Sequence, residues 1–329
     1  MATQKKVDLW SLSDLRTPWC IFVVATLRIA NYIAAGKSEI NALAAAAGCD
    51  ADALHRVLTH LVGVGVFQET APGRFALNEA AQDLVDPAQL LSLDLTGIGG
   101  RMAYAWSTLL DYVRTGAPAY QKVFGRPFFE DLDAHPKVSA SFDALIGPMG
   151  HGKPNPHFEI TGGWALIHTV ADVGGGTGSL LAGILQLRTH LKGILIDRAA
   201  VVARSAEILK EAGVTGRVTI HAQSFFDPLP SGAELYLLKS VLNDWPDDEA
   251  TAILSRCAAA ARPSGRVVVL SGVHADGTPK ELTIENVLLG GKNRTLTEFK
   301  LLAKAAGLEV TSSGVQSSGY FVVECRPVL

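Results

Sequence analysis

Residues 170–178, VADVGGGTG, place Gly174, Gly176 and Gly178 at alternate positions, directly after an apolar run and before a helical one. Glycine reaches backbone conformations barred to other residues and leaves no side chain between backbone and ligand. A helix beginning behind such a loop adds free N–H groups and the positive end of its dipole. The spacing is G-x-G-x-G. The dehydrogenase pattern G-x-G-x-x-G needs Gly or Ala at 179, where this chain has Ser179. One acid, Asp172, precedes the loop, and a second, Asp197, ends the next apolar run. A carboxylate there can accept hydrogen bonds from two ribose hydroxyls. A plain tight turn with Asp197 as a helix cap would use the same residues. Strand, loop, helix and acid nevertheless fall in the order that ribose binding requires, so a ribose-bearing ligand is expected.

Those residues must be held by the elements around them. From Leu166 on, apolar runs alternate with helical stretches. Strands are expected at Thr169–Val173, Gly193–Ile196, Val218–His221, Glu234–Lys239 and Arg266–Leu270, with helices at Ser179–Leu187, Ala199–Ala212, Asp247–Ala261 and Thr297–Ala306. Continuous apolar strands between helices predict a parallel sheet covered on both faces. The runs Leu308–Thr311 and Tyr320–Cys325, around Ser312-Ser313-Gly314 and Ser317-Ser318-Gly319, predict a closing hairpin with one strand reversed.

The first third is helical: residues 8–34 at helical spacing with Ser13 and Asp14 as caps, then Ile40–Ala47 ended by Gly48, then Ala51–Val64 capped by Asp50. Two short runs around Pro72-Gly73 predict a β-hairpin, which completes a winged-helix order. The would-be recognition helix offers Arg56, His55 and His60, too little positive charge for a phosphate footprint. With Trp10, Trp19, Phe22, Val23 and Val24 in the first helical stretch, a subunit contact is the better use. Residues 147–156 hold three prolines and three glycines and read as a connector.

Composition agrees. Of 329 residues 48% are apolar, and 29 basic against 32 acidic side chains give a net charge of −3, which argues against both a disordered chain and a general nucleic-acid binder. Cys20, Cys49, Cys257 and Cys325 are scattered, against a disulfide framework or zinc site, and no metal is expected. The best apolar run, Trp19–Leu27, stops at Arg28, too short for a membrane span. Met1–Asp8 has no signal-peptide core behind its lysines. A cytoplasmic protein is expected.

With these motifs in order, the chain resembles the small-molecule O-methyltransferases of the caffeate and hydroxyindole type, S-adenosylmethionine enzymes with many bacterial natural-product tailoring members. LWSLSDLRTPWCIFVVATLRIANYIAAG is similar to the family's dimerisation helix, VFGRPFFEDLDAHP and SFDAL to its middle helices, and VADVGGGTG, SFFDPLP, YLLKSVLNDWPDDEA and LLGGKNRT to its C-terminal motifs. The resemblance implies an α/β fold: a doubly wound, Rossmann-like methyltransferase domain (161–329) with an antiparallel last strand. It adds an N-terminal all-α, winged-helix dimerisation domain (1–88) and a helical segment (89–160) that contributes to a substrate pocket. It implies a homodimer acting on a hydroxylated aromatic or polyketide-type metabolite, with S-adenosylhomocysteine as product. Position by position, Asp172, Gly174, Gly176 and Gly178 would lie by the methionyl part of the cofactor, Asp197 on the ribose, Ser224 and Phe225 about the adenine, and Lys239 against the cofactor.

The departures carry information too. Where the family has its catalytic histidine before Asp-Trp, this chain has Asn243-Asp244-Trp245. An amide has no pKa with which to take a phenol proton. The two acids that orient that histidine are replaced by Ser271 and Asn293. Two accounts follow. Methyl transfer can proceed by orientation, on an acidic phenol or enol that needs no base. Alternatively the S-adenosylmethionine fold is repurposed for hydroxylation, decarboxylation or pericyclic chemistry, as in some relatives. A cofactor-sensing regulator is a third class, which the low basic content disfavours. Replacement bases are Asp244, His151 and His157, each with a plain structural reading as helix-start acid or solvated loop histidine. Glu285 stands where the family has an apolar pocket wall, and either contacts a polar substrate group or faces solvent. Phe142, Ile146 and Met149 are pocket-lining candidates or plain core.

Overall fold

Five runs become parallel strands, the inner ones with both faces covered and Val218–Ala222 at the sheet's edge largely exposed. The computed structural model describes residues 7–146 and 155–328. The chain divides into two units, Met1–Ala103 with Lys137–Gly150, and Tyr104–Pro136 with His151–Leu329.

In the first unit, helices Leu9–Ser13, Arg16–Thr26, Ile29–Ala34, Ile40–Ala47 and Ala51–Gly63 precede a hairpin of strands β1 (Phe67–Ala71) and β2 (Arg74–Leu77). The single helical stretch expected over 8–34 is three helices. Asp14, which ends the first, accepts the Arg16 amide at 3.0 Å, Leu15 is the N-cap of the second, and Arg28, left-handed at φ 58°, starts the third. Gly48 ends its helix at φ 66°, and Asp50 caps the next by accepting the Ala53 amide at 2.8 Å. Val24, Ile29, Leu43, Leu58, Leu61, Phe67 and Phe75 form the core.

The second unit carries a seven-stranded sheet of β3 (Thr169–Val173), β4 (Lys192–Asp197), β5 (Val218–Ala222), β6 (Leu235–Lys239), β7 (Arg266–Leu270), β10 (Leu308–Val315) and β11 (Phe321–Pro327), in the order β10-β11-β7-β6-β3-β4-β5. Two-residue strands β8 (Val273–His274) and β9 (Arg294–Thr295) pair separately. Strands β3 to β7 are parallel, and β11 runs antiparallel to β7. Along β6, Tyr236 and Leu238 enter the core beneath helix Asp247–Ala260, whereas Leu235 and Leu237 enter the opposite core with helix Ser179–Leu187. This period-two alternation buries both faces.

Two expectations are corrected. Ser312-Ser313-Gly314 is not a turn but part of β10, paired with Glu324, Val323 and Val322 past a bulge after Val310. As an outer strand, β10 gains its ladder from β11 whatever the turn propensity of its residues. The helix expected over Ala199–Ala212 is two, Ala199–Val202 and Ser205–Glu211. Among the described residues no helix is long and apolar enough to cross a membrane.

Candidate active site

Strand β3 lies between β4 and β6, so the chain leaves it in one direction and later returns on its other side. Ligands of open α/β sheets bind at such a reversal, beyond the carboxyl ends of the strands. The loop Gly174–Gly178 starts there. Gly174, Gly176 and Gly178 have φ of 70°, 62° and 82°, which a side chain would strain. The Gly174 amide donates to Ile196 O at 2.8 Å, and the Gly176 amide to Asp197 Oδ2 at 2.8 Å. Asp197 Oδ1 accepts the Arg198 amide at 2.7 Å. A Cβ on Gly174 would lie 2.8 Å from Val241 Cγ2, and one on Gly175 2.7 Å from Asp172 Oδ2. Gly175 is therefore part of the cradle, a role that the alternate-glycine pattern did not flag.

Asp172 is 1% exposed, and its Oδ2 has no hydrogen-bond partner among the described residues. Burial, then the charge of Asp197, pushes its carboxyl up to about 7, with Lys239 opposing. Burial also raises Asp197 against the pull of the Arg198 and Gly176 amides. Lys239, half-buried at the end of β6, is lowered by burial, with Asp172 and Asp244 opposing. It is therefore no plain solvated strand-end lysine.

The neighbouring strand ends are strained. Ser240 and Ser271, directly after β6 and β7, both have positive φ, 53° and 68°, and the Ser240 amide donates to Leu270 O at 3.0 Å. Such outliers persist where the surroundings over-determine them. Beyond Ser240, Asn243 and Asp244 lie in the turn Leu242–Asp244. Asn243 Nδ2 donates to Asp244 Oδ1 at 3.0 Å, and Asn243 Oδ1 is a buried acceptor without a partner among the described residues. Asp244 does not cap helix Asp247–Ala260, whose N-cap is Pro246. Asp244 is half-buried. Burial, then the charge of Glu285, pushes its carboxyl up to about 8 against the pull of Lys239.

Glycine again sets the approach. A Cβ on Gly291 would lie 2.1 Å from Asn243 O, so the loop after helix Ile284–Leu288 rests on the Asn243–Asp244 backbone. Asn286 Nδ2 donates to Gly291 O at 2.6 Å. Arg294, 1% exposed, donates to Leu242 O and Trp245 O, both at 2.7 Å, and to Asp247. Asn293 itself is exposed, so its neighbours Gly291 and Arg294 supply the contacts to the turn.

An aromatic wall completes the second unit's site. Trp245 stacks on Phe129 (centroids 5.6 Å) and meets Phe225 and Phe226 edge-on at 5.8 and 5.0 Å. Phe225 also borders Gly174, and Ser224 Oγ accepts the Phe226 amide at 3.2 Å. Arg198 lies over Phe129 at 5.0 Å, donates to Phe129 O and pairs with Asp133. Sequence reading missed Phe129, Arg198 and Gly291. The doubled Gly290-Gly291 and the basic residue next to Asp197 were the available signals. Phe142, half-buried, and Ile146, exposed, belong to helix Pro136–Ile146 of the first unit. Met149 and His151 lie outside the described residues, and His157 is exposed. A cavity of about 490 Å³ belongs to the first unit, lined by Arg28, Tyr32, Leu90 and Asp94 among others, and includes none of the loop's residues.

Comparison with known proteins bears on this geometry. Residues 106–309 match the model of the O-methyltransferase domain, and residues 10–87 that of the O-methyltransferase dimerisation domain. The chain is 40% identical to 2,7-dihydroxy-5-methyl-1-naphthoate 7-O-methyltransferase of Streptomyces carzinostaticus, covering 93% of this chain and 94% of that one. It is 36% identical to aclacinomycin 10-hydroxylase RdmB of Streptomyces purpurascens, over 95% and 86% of the two chains. The crystal structure of NcsB1, an O-methyltransferase from neocarzinostatin biosynthesis in complex with S-adenosylmethionine and 2-hydroxy-5-methyl naphthoic acid, matches with a TM-score of 0.89 and 36% identity over 99% of this chain and 100% of that one. With both domain models matched and the glycine loop at the sheet's reversal point, the chain belongs to the O-methyltransferase family.

Proposed function

We propose that the chain transfers the methyl group of S-adenosylmethionine to a hydroxyl of an aromatic or polyketide-type secondary metabolite, releasing S-adenosylhomocysteine. The observation that carries this is the glycine loop pinned by Asp197 beside the unpartnered oxygen of Asp172. These residues fit that cofactor. A Cβ at Gly174 or Gly175 would fill the cradle, and the Asp172 carboxyl suits a cationic group such as the methionyl ammonium. Each oxygen of Asp197 accepts one amide and keeps a lone pair for a ribose hydroxyl. Ser224 and Phe225 would border the adenine, and Lys239 would lie against the cofactor. When bound, the cofactor supplies an electrophilic sulfonium methyl with a neutral leaving group. Asn243 and Asp244 hold the acceptor, and orientation of this kind supplies about 7–11 kcal/mol in favourable cases.

The protein works as a homodimer in the cytoplasm, on a small molecule and not on nucleic acid. The exposed Trp10, Leu12 and Leu15 of the matched dimerisation segment, with Leu9 just before it, support the dimer.

Incubation with methyl-labelled S-adenosylmethionine and a panel of hydroxylated aromatic and polyketide acceptors tests the reading, and label should move to an acceptor. A second reading, non-methylating chemistry on the same fold, is favoured by the neutral Asn243, Ser271 and Asn293 and by the likeness to a protein named as a hydroxylase. Product formed without S-adenosylhomocysteine would establish it.

A further inference from the structure

The turn Leu242–Asp244 holds a buried acceptor that is open among the described residues, Asn243 Oδ1. Asn243 Nδ2 is spent on Asp244 Oδ1, which leaves Asn243 Oδ1 buried and without a partner among the described residues. Glu285 lies near enough for its charge to act on Asp244. The cation that acts on Asp244 is Lys239, which Asp172 shares. Asn243 and Glu285 are also fixed relative to one another. Gly291 rests on the Asn243 carbonyl, Asn286 holds Gly291 O, and the Thr283 amide donates to Asn286 Oδ1 at 2.7 Å at the start of the helix that bears Glu285. A buried acceptor left open is unfavourable until a donor arrives. A phenolate would set its charge against the open amide oxygen of Asn243 and the charge of Glu285, whereas a neutral hydroxyl supplies the missing donor.

We propose that Asn243, Asp244 and Glu285 form one acceptor site for a neutral hydroxyl of the substrate, Asn243 Oδ1 taking its hydrogen bond and the Asp244–Glu285 carboxyl pair taking its proton as the oxygen is methylated. This rests on the methyl-transfer reading above and, of the two alternatives open in the sequence, takes a replacement base over an acceptor that arrives ionised. The substrate oxygen gains the methyl carbon and loses its hydrogen. The S–C electron pair leaves with the thioether, the O–H pair stays on oxygen, and the proton passes to a carboxylate of the pair and then to solvent. The substrate class is a phenol or enol with no anionic substituent beside the reacting oxygen.

A chromogenic probe, 4-nitro-1-naphthol, tests this with the full-length protein saturated with S-adenosylhomocysteine. Titrated near the probe's own ionisation midpoint, binding should weaken the visible phenolate band and move that midpoint up by about one pH unit, a tenfold preference for the neutral form. Glu285→Gln should lower turnover of weakly acidic 2-naphthol about 100-fold, within the range of general-base effects, and that of the nitronaphthol far less. A phenolate band that strengthens on binding, probe that does not bind to the loaded protein, or equal losses on both naphthols would overturn the proposal. Failure of S-adenosylhomocysteine itself to bind would overturn the methyl-transfer reading instead.

Discussion

Asp197 holds Gly176: the carboxylate that ends β4 accepts, at 2.8 Å, the amide of the loop that follows β3. One side chain thereby sets the shape of the loop and, on the proposed reading, would also accept the ribose hydroxyls. Hydrogen bonds to a charged group contribute about 1.5–3 kcal/mol. Asp197→Ala should weaken S-adenosylhomocysteine binding by about 10- to 100-fold in calorimetry, with the fold intact by circular dichroism. Unchanged affinity would remove Asp197 from the site.

On the proposed reading, Asp172 should couple cofactor binding to protons. Burial and the Asp197 charge lift its carboxyl to about 7, so below that pH the empty site holds a proton there. A cationic ligand favours the ionised form. Binding of S-adenosylmethionine at about pH 6.5 should therefore release a proton, seen as a dependence of the calorimetric enthalpy on buffer ionisation. Asp172→Asn should abolish that release.

Raised carboxyls also set the pH dependence of stability. In the unfolded chain Asp172 and Asp244 ionise near their usual value of 3.8, and in the folded protein near 7 and 8. The folded state thus binds more protons between those limits, and stability falls as pH rises through them. Each group contributes a slope of up to about 1.4 kcal/mol per pH unit. Asp244→Asn should flatten the decline between about pH 5 and 8 in urea unfolding. A parallel curve would show that Asp244 titrates alike in both states.

Gly291 admits no side chain. Because a Cβ would come within 2.1 Å of Asn243 O, Gly291→Ala must displace the turn that carries Asn243 and Asp244. Overpacking of this kind costs about 1–3 kcal/mol. A lower melting temperature is expected, with kcat reduced more than cofactor affinity, since the cradle at Gly174–Gly178 is built separately. Gly291→Ala with wild-type turnover would sink the claim.

Arg198 ties helix Phe128–Ala134 to the end of β4, through the Phe129 ring and carbonyl and through Asp133. Arg198→Ala should speed amide hydrogen exchange in that helix while the strands of the sheet remain protected.

The chain by itself determined the parallel strands, the reversed last strand, the glycine loop with its two acids, and the absence of the histidine. Those features are local. Apolar runs covered on both faces read as parallel strands, and glycines spaced along a strand-to-helix turn carry their backbone requirement in their identity. The tertiary structure decided how Asn243, Asp244 and Glu285 relate. Gly291 meets Asn243 from far along the chain, and Glu285 reaches Asp244 from a separate helix. Whether Asn243 Oδ1 has a partner depends on which donors the folded chain brings within about 3 Å, and a linear pattern does not encode such distances. For Asp244 the sequence left both a replacement base and an ordinary helix-start acid open, since desolvation and a facing carboxylate arise only when remote segments pack.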